Sequence, residues 1–210
     1  MLAAIDPGMN SPGVAIFRGG LGYELIRADR VVVPAGLAGE RAGHRWLEVA
    51  KHIVAFIAKY TGGPVALTVV FECPQWYQHG KSKGDPNQLV GIAGVAANVT
   101  GMLSCRYPLN VESPTPAEWI GQLSKECPVC KTTRASRKGT RVKTFAKDCA
   151  NCHGSAWETP RGRYIRKRLA PAELALVPDQ NDAIDAVGLG LYALGRLSPQ
   201  SVFSNGRDGR

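Results

Sequence analysis

Two short apolar runs, each ending in a single acid, constrain this chain more than any other feature. "AAIDPGMNSPGVAIF" (Ala3–Phe17) holds two apolar runs around a turn of Pro, Gly, Asn and Ser, with Asp6 where the first run ends. "VALTVVFE" (Val65–Glu72) is apolar and β-branched, which suits a strand buried on both faces, and it ends in Glu72. A buried strand that finishes on one carboxylate aims that group at whatever lies beyond the end of the sheet.

The runs fit into a longer order. Leu2–Ile5, Val14–Phe17 and Tyr23–Val33 read as three consecutive strands of an antiparallel meander. Trp46, Val49, Ile53, Phe56, Ile57 and Tyr60 recur at helical spacing, with Arg45, Glu48, Lys51 and Lys59 between them, until Gly62, Gly63 and Pro64. After the strand that ends at Glu72, "NQLVGIAGVAANVTGML" reads as a second helix. Its small ridge of Gly91, Gly94, Ala97 and Gly101 suits either close packing on the sheet or a contact between subunits. "YPLNVES" reads as a strand, "TPAEWIGQL" as a short helix begun by Thr115 and Pro116, and "PDQNDAIDAVGLGLYALGRL" as a last helix with Asp179 as its N-cap. The order predicts an α/β fold, a mixed sheet with helices on both faces. The tail from 198 to 210 reads as disordered.

A hydrophobic content of 44% over 210 residues supports one well-packed domain with a small appendage. No apolar run reaches the ~18 residues of a membrane span, and the N-terminus lacks the pattern of a signal peptide. The expectation is a cytoplasmic protein with reduced cysteines and no membrane partner. The formal charge of +9 is concentrated. Lys125 to Arg168 contains thirteen Lys/Arg against Glu126, Asp148 and Glu158, leaving thirteen basic and fourteen acidic residues elsewhere. Such a block points to a polyanion, most simply nucleic acid, although a solvated surface has the same composition.

Asp182 and Asp185 lie three apart at the start of the last helix and share a face, beside an apolar stripe of Ile184, Val187, Leu191 and Leu194. Asp6, Glu72, Asp182 and Asp185 would then meet near the strand ends. Four acids together repel one another unless cations bind among them. Mg²⁺ or Mn²⁺ suits oxygen ligands, and two such ions about 3.5–4 Å apart can activate water and stabilise a leaving phosphodiester oxygen. Taken singly, each acid also has a plainer role: Asp6 as turn cap, Glu72 as the partner of a surface lysine, Asp182 as a first-turn residue favoured by the helix dipole.

Together, "AIDPGMNSPGVAIF", "VVFECP", "QLVGIAGVAA" and "NDAIDAVGLGLYAL" resemble, in order and spacing, the RuvC family of Holliday-junction resolvases within the RNase H-like fold. The resemblance implies Asp6, Glu72, Asp182 and Asp185 as a metal-binding catalytic tetrad. It also implies a homodimer that makes paired nicks in four-way DNA, leaving 5′-phosphate ends, in a bacterial or phage-infected cell.

"CPVC" (Cys127, Cys130) and "CANC" (Cys149, Cys152), eighteen residues apart, have zinc-ribbon spacing. Disulfides are disfavoured by a reducing compartment. "CANCH" also fits haem attachment, which requires export and leaves the other pair without a role. Whether His153 replaces one thiol in the zinc shell stays open. The resulting domain boundaries are 1–123 with 157–197 for an RNase H-like nuclease, and 124–156 for an inserted zinc ribbon. An insertion at this point is similar to the RuvC domains of transposon-encoded TnpB proteins.

Phosphate contacts are expected from Arg134, Arg137, Lys138, Arg141 and Lys143 between the knuckles, and from a second basic loop, Arg161, Arg163, Arg166, Lys167 and Arg168. After Glu72, Trp76 and Tyr77 interleave with Lys81 and Lys83. There an aromatic suits stacking on an unpaired base or packing as a lid on the second helix. Competing functions are a general DNase or RNase of the same fold, a non-catalytic zinc-containing nucleic-acid-binding protein, and a sugar-kinase or actin-like ATPase. The last needs two such domains, more than 210 residues hold.

Overall fold

The computed structural model describes residues 1–8, 11–20, 22–34, 42–73, 86–121, 123–124, 126–130 and 147–198. Five strands, β1 (Leu2–Asp6), β2 (Gly13–Arg18), β3 (Glu24–Arg30), β4 (Leu67–Phe71) and β5 (Leu109–Glu112), form one sheet in the order β3-β2-β1-β4-β5. The meander β1-β2-β3 is antiparallel, and β4 and β5 add in parallel with β1. Parallel neighbours need crossover connections, and two long helices supply them: α1 (Ala42–Thr61) between β3 and β4, and α2 (Pro86–Ser104) between β4 and β5. α1 stops at Gly62, whose φ of 64° is the left-handed conformation that closes many helices.

Strand alternation divides the apolar residues between two cores. Ala3 and Ile5 of β1, Val14 and Ile16 of β2, and Val69 and Phe71 of β4 face α1 and α2, where Val49, Ile53, Ile57, Val95 and Val99 complete one core. Leu2, Ala4, Ala15, Phe17 and Val70 face the other way. That second layer is built from α3 (Pro116–Trp119), α4 (Pro160–Arg166), α5 (Pro171–Leu174) and α6 (Asn181–Ala193). The alternating mixed sheet with helices on both faces is the architecture expected from the sequence.

Glycines govern how closely the helices approach. Gly94 of α2 lies against Trp46 of α1, where a Cβ would fall 2.5 Å from the indole ring. On the opposite face, a Cβ on Gly13 would fall 1.8 Å from the Asp182 carbonyl oxygen, and one on Gly190 would fall 2.2 Å from the Phe17 ring. The start of α6 therefore rests on the start of β2 and its far end rests on Phe17, near the end of that strand.

Some elements differ from the sequence reading. The basic stretch 161–168, expected as a loop, is mostly the helix α4, with Thr159 as N-cap and Pro160 at its first position. Asp179 does not cap α6, whose N-cap is Gln180; its carboxylate accepts from the Ala156 and Trp157 N–H groups at 2.8 and 3.3 Å. The expected tail beyond 198 lies outside the described residues.

A part-buried ion pair ties the strand β3 to the α5–α6 layer. Glu173 accepts from both terminal nitrogens of Arg196 at 2.8 and 2.6 Å, and from the Leu25 and Ala170 N–H groups at 3.0 and 2.9 Å. The Arg196 guanidinium outweighs burial and holds the carboxyl at about 2, against 4.5 ordinarily. A depressed carboxyl contributes stability that is full above about pH 4.5 and is lost as pH falls toward 2. Glu173→Gln should lower unfolding stability at pH 7 by ~3 kcal/mol, and urea titrations should show that deficit shrinking between about pH 5 and pH 2.

Candidate metal and nucleic-acid site

Backbone register places the first two acids. In the parallel pair β1–β4, Ile5 lies opposite Phe71, and the Glu72 N–H reaches the Ile5 carbonyl at 3.4 Å. Asp6 and Glu72 thus stand side by side at the carboxyl ends of adjacent strands. Asp6 follows Leu2 and Ala4 in the alternation, and Glu72 follows Val70, so both belong to the face covered by α6.

The same register places the third acid. Asp6 pairs with Gly13, and Gly13 is in contact with the backbone of Asp182. The positive end of the α6 dipole therefore sits at this carboxylate end of the sheet. Asp185, three residues on, is buried.

Protein donors engage these acids. Ser11 Oγ donates to Asp182 Oδ2 at 3.1 Å, and the Trp119 indole Nε1 donates to Glu72 Oε2 at 3.0 Å. Arg161 Nη1 donates to Asp185 Oδ2 at 3.0 Å, as an ion pair with side chains only 14% and 5% exposed. The Arg161 guanidinium also lies over the Trp119 ring, 5.3 Å from its centroid. The four carboxylates share one end of the sheet, yet among the described residues no three have oxygens within 4.8 Å of one another. Mutual repulsion favours this arrangement, in which Glu72, Asp182 and Asp185 each turn to a protein donor.

Trp119, Ser11 and Arg161 had no place in the sequence-derived set of acid partners. Arg161 was expected to reach phosphate; it faces inward because it is four residues before the buried Ile165 on α4, on the same helical face. Arg163 and Arg166 are exposed, as are Lys167 and Arg168 beyond the helix. Arg163, Arg166 and Lys167 border an open pocket of ≈ 400 Å³ floored by Leu169, Pro171 and Leu174, and Arg166 pairs with Glu158 at 3.2 Å. Trp76, Tyr77, Lys81, Lys83, Arg134, Arg137, Lys138, Arg141 and Lys143 lie outside the described residues.

The four cysteines do converge. Their sulfurs lie within 4.8 Å of one another, with Cys127–Cys149 at 3.8 Å and Cys130–Cys152 at 3.7 Å. A tetrahedral zinc with Zn–S of about 2.3 Å has S···S edges of about 3.8 Å, whereas a disulfide needs about 2.05 Å. The geometry fits zinc. His153 is outside the set; it is exposed and takes a left-handed φ of 47° at the turn after Cys152. Burial pushes the Cys152 thiol up to about 12. At Cys127 burial also pushes upward, but hydrogen bonds from the Cys130 N–H and the Asn151 side chain prevail and bring it to about 6. Four sulfurs packed this closely hold protons unequally because they cannot all be thiolates without a cation.

The cysteines form a buried cluster of their own, separate from both sheet cores. Purified protein should therefore carry one zinc per chain by elemental analysis. Cys127→Ser or Cys152→Ser should lose it while keeping the far-ultraviolet signal of the sheet and helices.

No family model matches the sequence, and no curated protein does. Among solved structures, the chain is similar to Thermus thermophilus RuvC, at 15% identity and a TM-score of 0.48 over 95% of this chain and 99% of that one. RuvC of T. thermophilus in complex with a Holliday-junction substrate gives 15% identity and a TM-score of 0.47, over 95% and 98%. Fowlpox virus resolvase in complex with its Holliday-junction DNA gives 12% identity and 0.47, over 94% and 100%. The strand order, the strand directions and the helices on both faces make the fold of this chain RNase H-like, with a four-cysteine insertion after its third helix.

Proposed function

We propose that the chain is a divalent-metal-dependent, structure-selective DNA endonuclease that resolves Holliday junctions. The reading rests above all on one observation: Asp6 and Glu72 end adjacent parallel strands on the face where α6 brings up Asp182 and Asp185. In this reading those four carboxylates bind Mg²⁺ or Mn²⁺. When bound, such ions supply an activated water and stabilise the leaving oxygen of a phosphodiester.

The chain's own part is positional. β1 and β4 hold Asp6 and Glu72 on a backbone that cannot shift without breaking the central sheet. Trp119 orients Glu72, Ser11 orients Asp182, and Arg161 orients Asp185. Outside the acidic centre, Arg163, Arg166, Lys167 and Arg168, with the basic residues between the cysteine pairs, would neutralise junction phosphates. Trp76 or Tyr77 would stack on an unpaired base. Paired nicks that leave 5′-phosphate ends would come from a homodimer in the cytoplasm of a bacterial or phage-infected cell.

Asp6→Asn should reduce Mg²⁺-dependent cleavage of a labelled four-way junction by at least ~100-fold, while gel-shift affinity for the junction changes only a few-fold. Normal cleavage by this variant would refute the catalytic assignment. Wild-type protein that binds the junction tightly but cuts no junction, flap, duplex or hybrid in Mg²⁺ or Mn²⁺ would make it a non-catalytic zinc-containing binder.

A further inference from the structure

The entry of the four-cysteine insertion is fastened beside the acids, and its exit is seated under α4. At the entry, Arg161 Nε and Nη2 each donate to the Leu123 carbonyl at 3.3 Å, and the Arg161 N–H donates to the Ser124 carbonyl at 3.1 Å. Ser124 Oγ in turn accepts from the Glu126 N–H at 3.1 Å, directly before Cys127. At the exit, the Ser155 N–H donates to the Cys152 carbonyl at 2.7 Å, and Asp179 holds the next turn of chain, Ala156–Glu158. α4 is seated on that turn with no slack: a Cβ on Gly162 would fall 2.3 Å from the Ala156 carbonyl oxygen.

Arg161 stands where these constraints meet. One guanidinium binds the Leu123 carbonyl at the entry, the Asp185 carboxylate and the face of the indole whose N–H holds Glu72. Its planar fork is rigid, so moving Leu123 moves the nitrogen on Asp185 as well. The ion pair is largely shielded from water, which strengthens its directional preference.

We propose that Arg161 is a positioning residue that couples the zinc-binding insertion to the acidic end of the sheet, so that ordering of the cysteine cluster sets the geometry of Asp185 and Glu72. The functional meaning of this coupling rests on the endonuclease reading above; the coupling itself does not.

The four tryptophans allow a test that needs no cleavage. In ¹⁵N-labelled full-length protein, Trp119→Phe identifies the Trp119 indole N–H resonance, and Trp46, on the opposite face, serves as the control. Stripping zinc from wild type by chelation should move the Trp119 resonance upfield, as its hydrogen bond to Glu72 weakens, and leave Trp46 in place. Arg161→Gln should show that shift with zinc still bound and no further movement on stripping. Arg161→Lys, which keeps the charge but lacks the fork, should behave as Arg161→Gln does. A Trp119 resonance indifferent to zinc in wild type, or equally responsive in either variant, would overturn the proposal. Should Arg161→Gln not fold, the wild-type arm and Arg161→Lys still decide. Mn²⁺ added to the zinc-loaded protein separates the two readings: paramagnetic broadening of Trp119 reports an ion among the carboxylates. Its absence would count against the endonuclease while leaving the zinc coupling to be read as before.

Discussion

The contact between α6 and β2 is the constraint from which the site follows. Helices ordinarily stand off a sheet by the length of their side chains, but here Gly13 and Gly190 remove a side chain at each end of the contact. The backbone of Asp182 comes down onto the residue paired with Asp6. A methyl group at Gly13 would overlap that backbone and lift the helix start. Asp182 and Asp185 would then be carried away from the strand ends. The burial of α6, unbroken from Ala183 to Leu191 and apolar except at Asp185, supplies the attraction that holds the contact closed.

Charge is organised around this contact in two zones. Acids gather at one end of the sheet, brought there by strand register and helix placement, and Ser11, Trp119 and Arg161 meet three of them with donors. Much of the basic excess belongs to the cysteine insertion, where residues 124–156 hold eight Lys/Arg against Glu126 and Asp148. That segment has little apolar surface, and its only buried cluster among the described residues is four sulfurs. An ion joining those sulfurs would do for the insertion what the two hydrophobic cores do for the sheet.

Much of this was legible in the residues. Alternation and β-branching identify β1, β2 and β4, and a period of 3.6 identifies α1 and α2. Thr115 and Pro116 mark the start of α3, and C-x₂-C spacing marks the cysteine site. These are local signals, carried by neighbours along the chain. The inward turn of Arg161 was only partly visible: Thr159-Pro160 announces a helix, and Ile165 tells which face is buried. Basic residues in a row read more readily as a phosphate-binding loop. Asp179 misled for a related reason, since a carboxylate before a helix can as well cap another turn brought to it by folding.

Sequence alone determined which segments are strands and helices, that acids end two of the strands, and that four thiols stand ready for one ion. Each depends on residue chemistry and short spacing. Tertiary structure decided that the acids share an end of the sheet, that Trp119 and Arg161 link Glu72 to Asp185, and that the insertion is fastened beside them. Those relations join residues from 24 to 171 positions apart. They are set by strand register and by the closeness of helix to sheet, which no window along the chain contains.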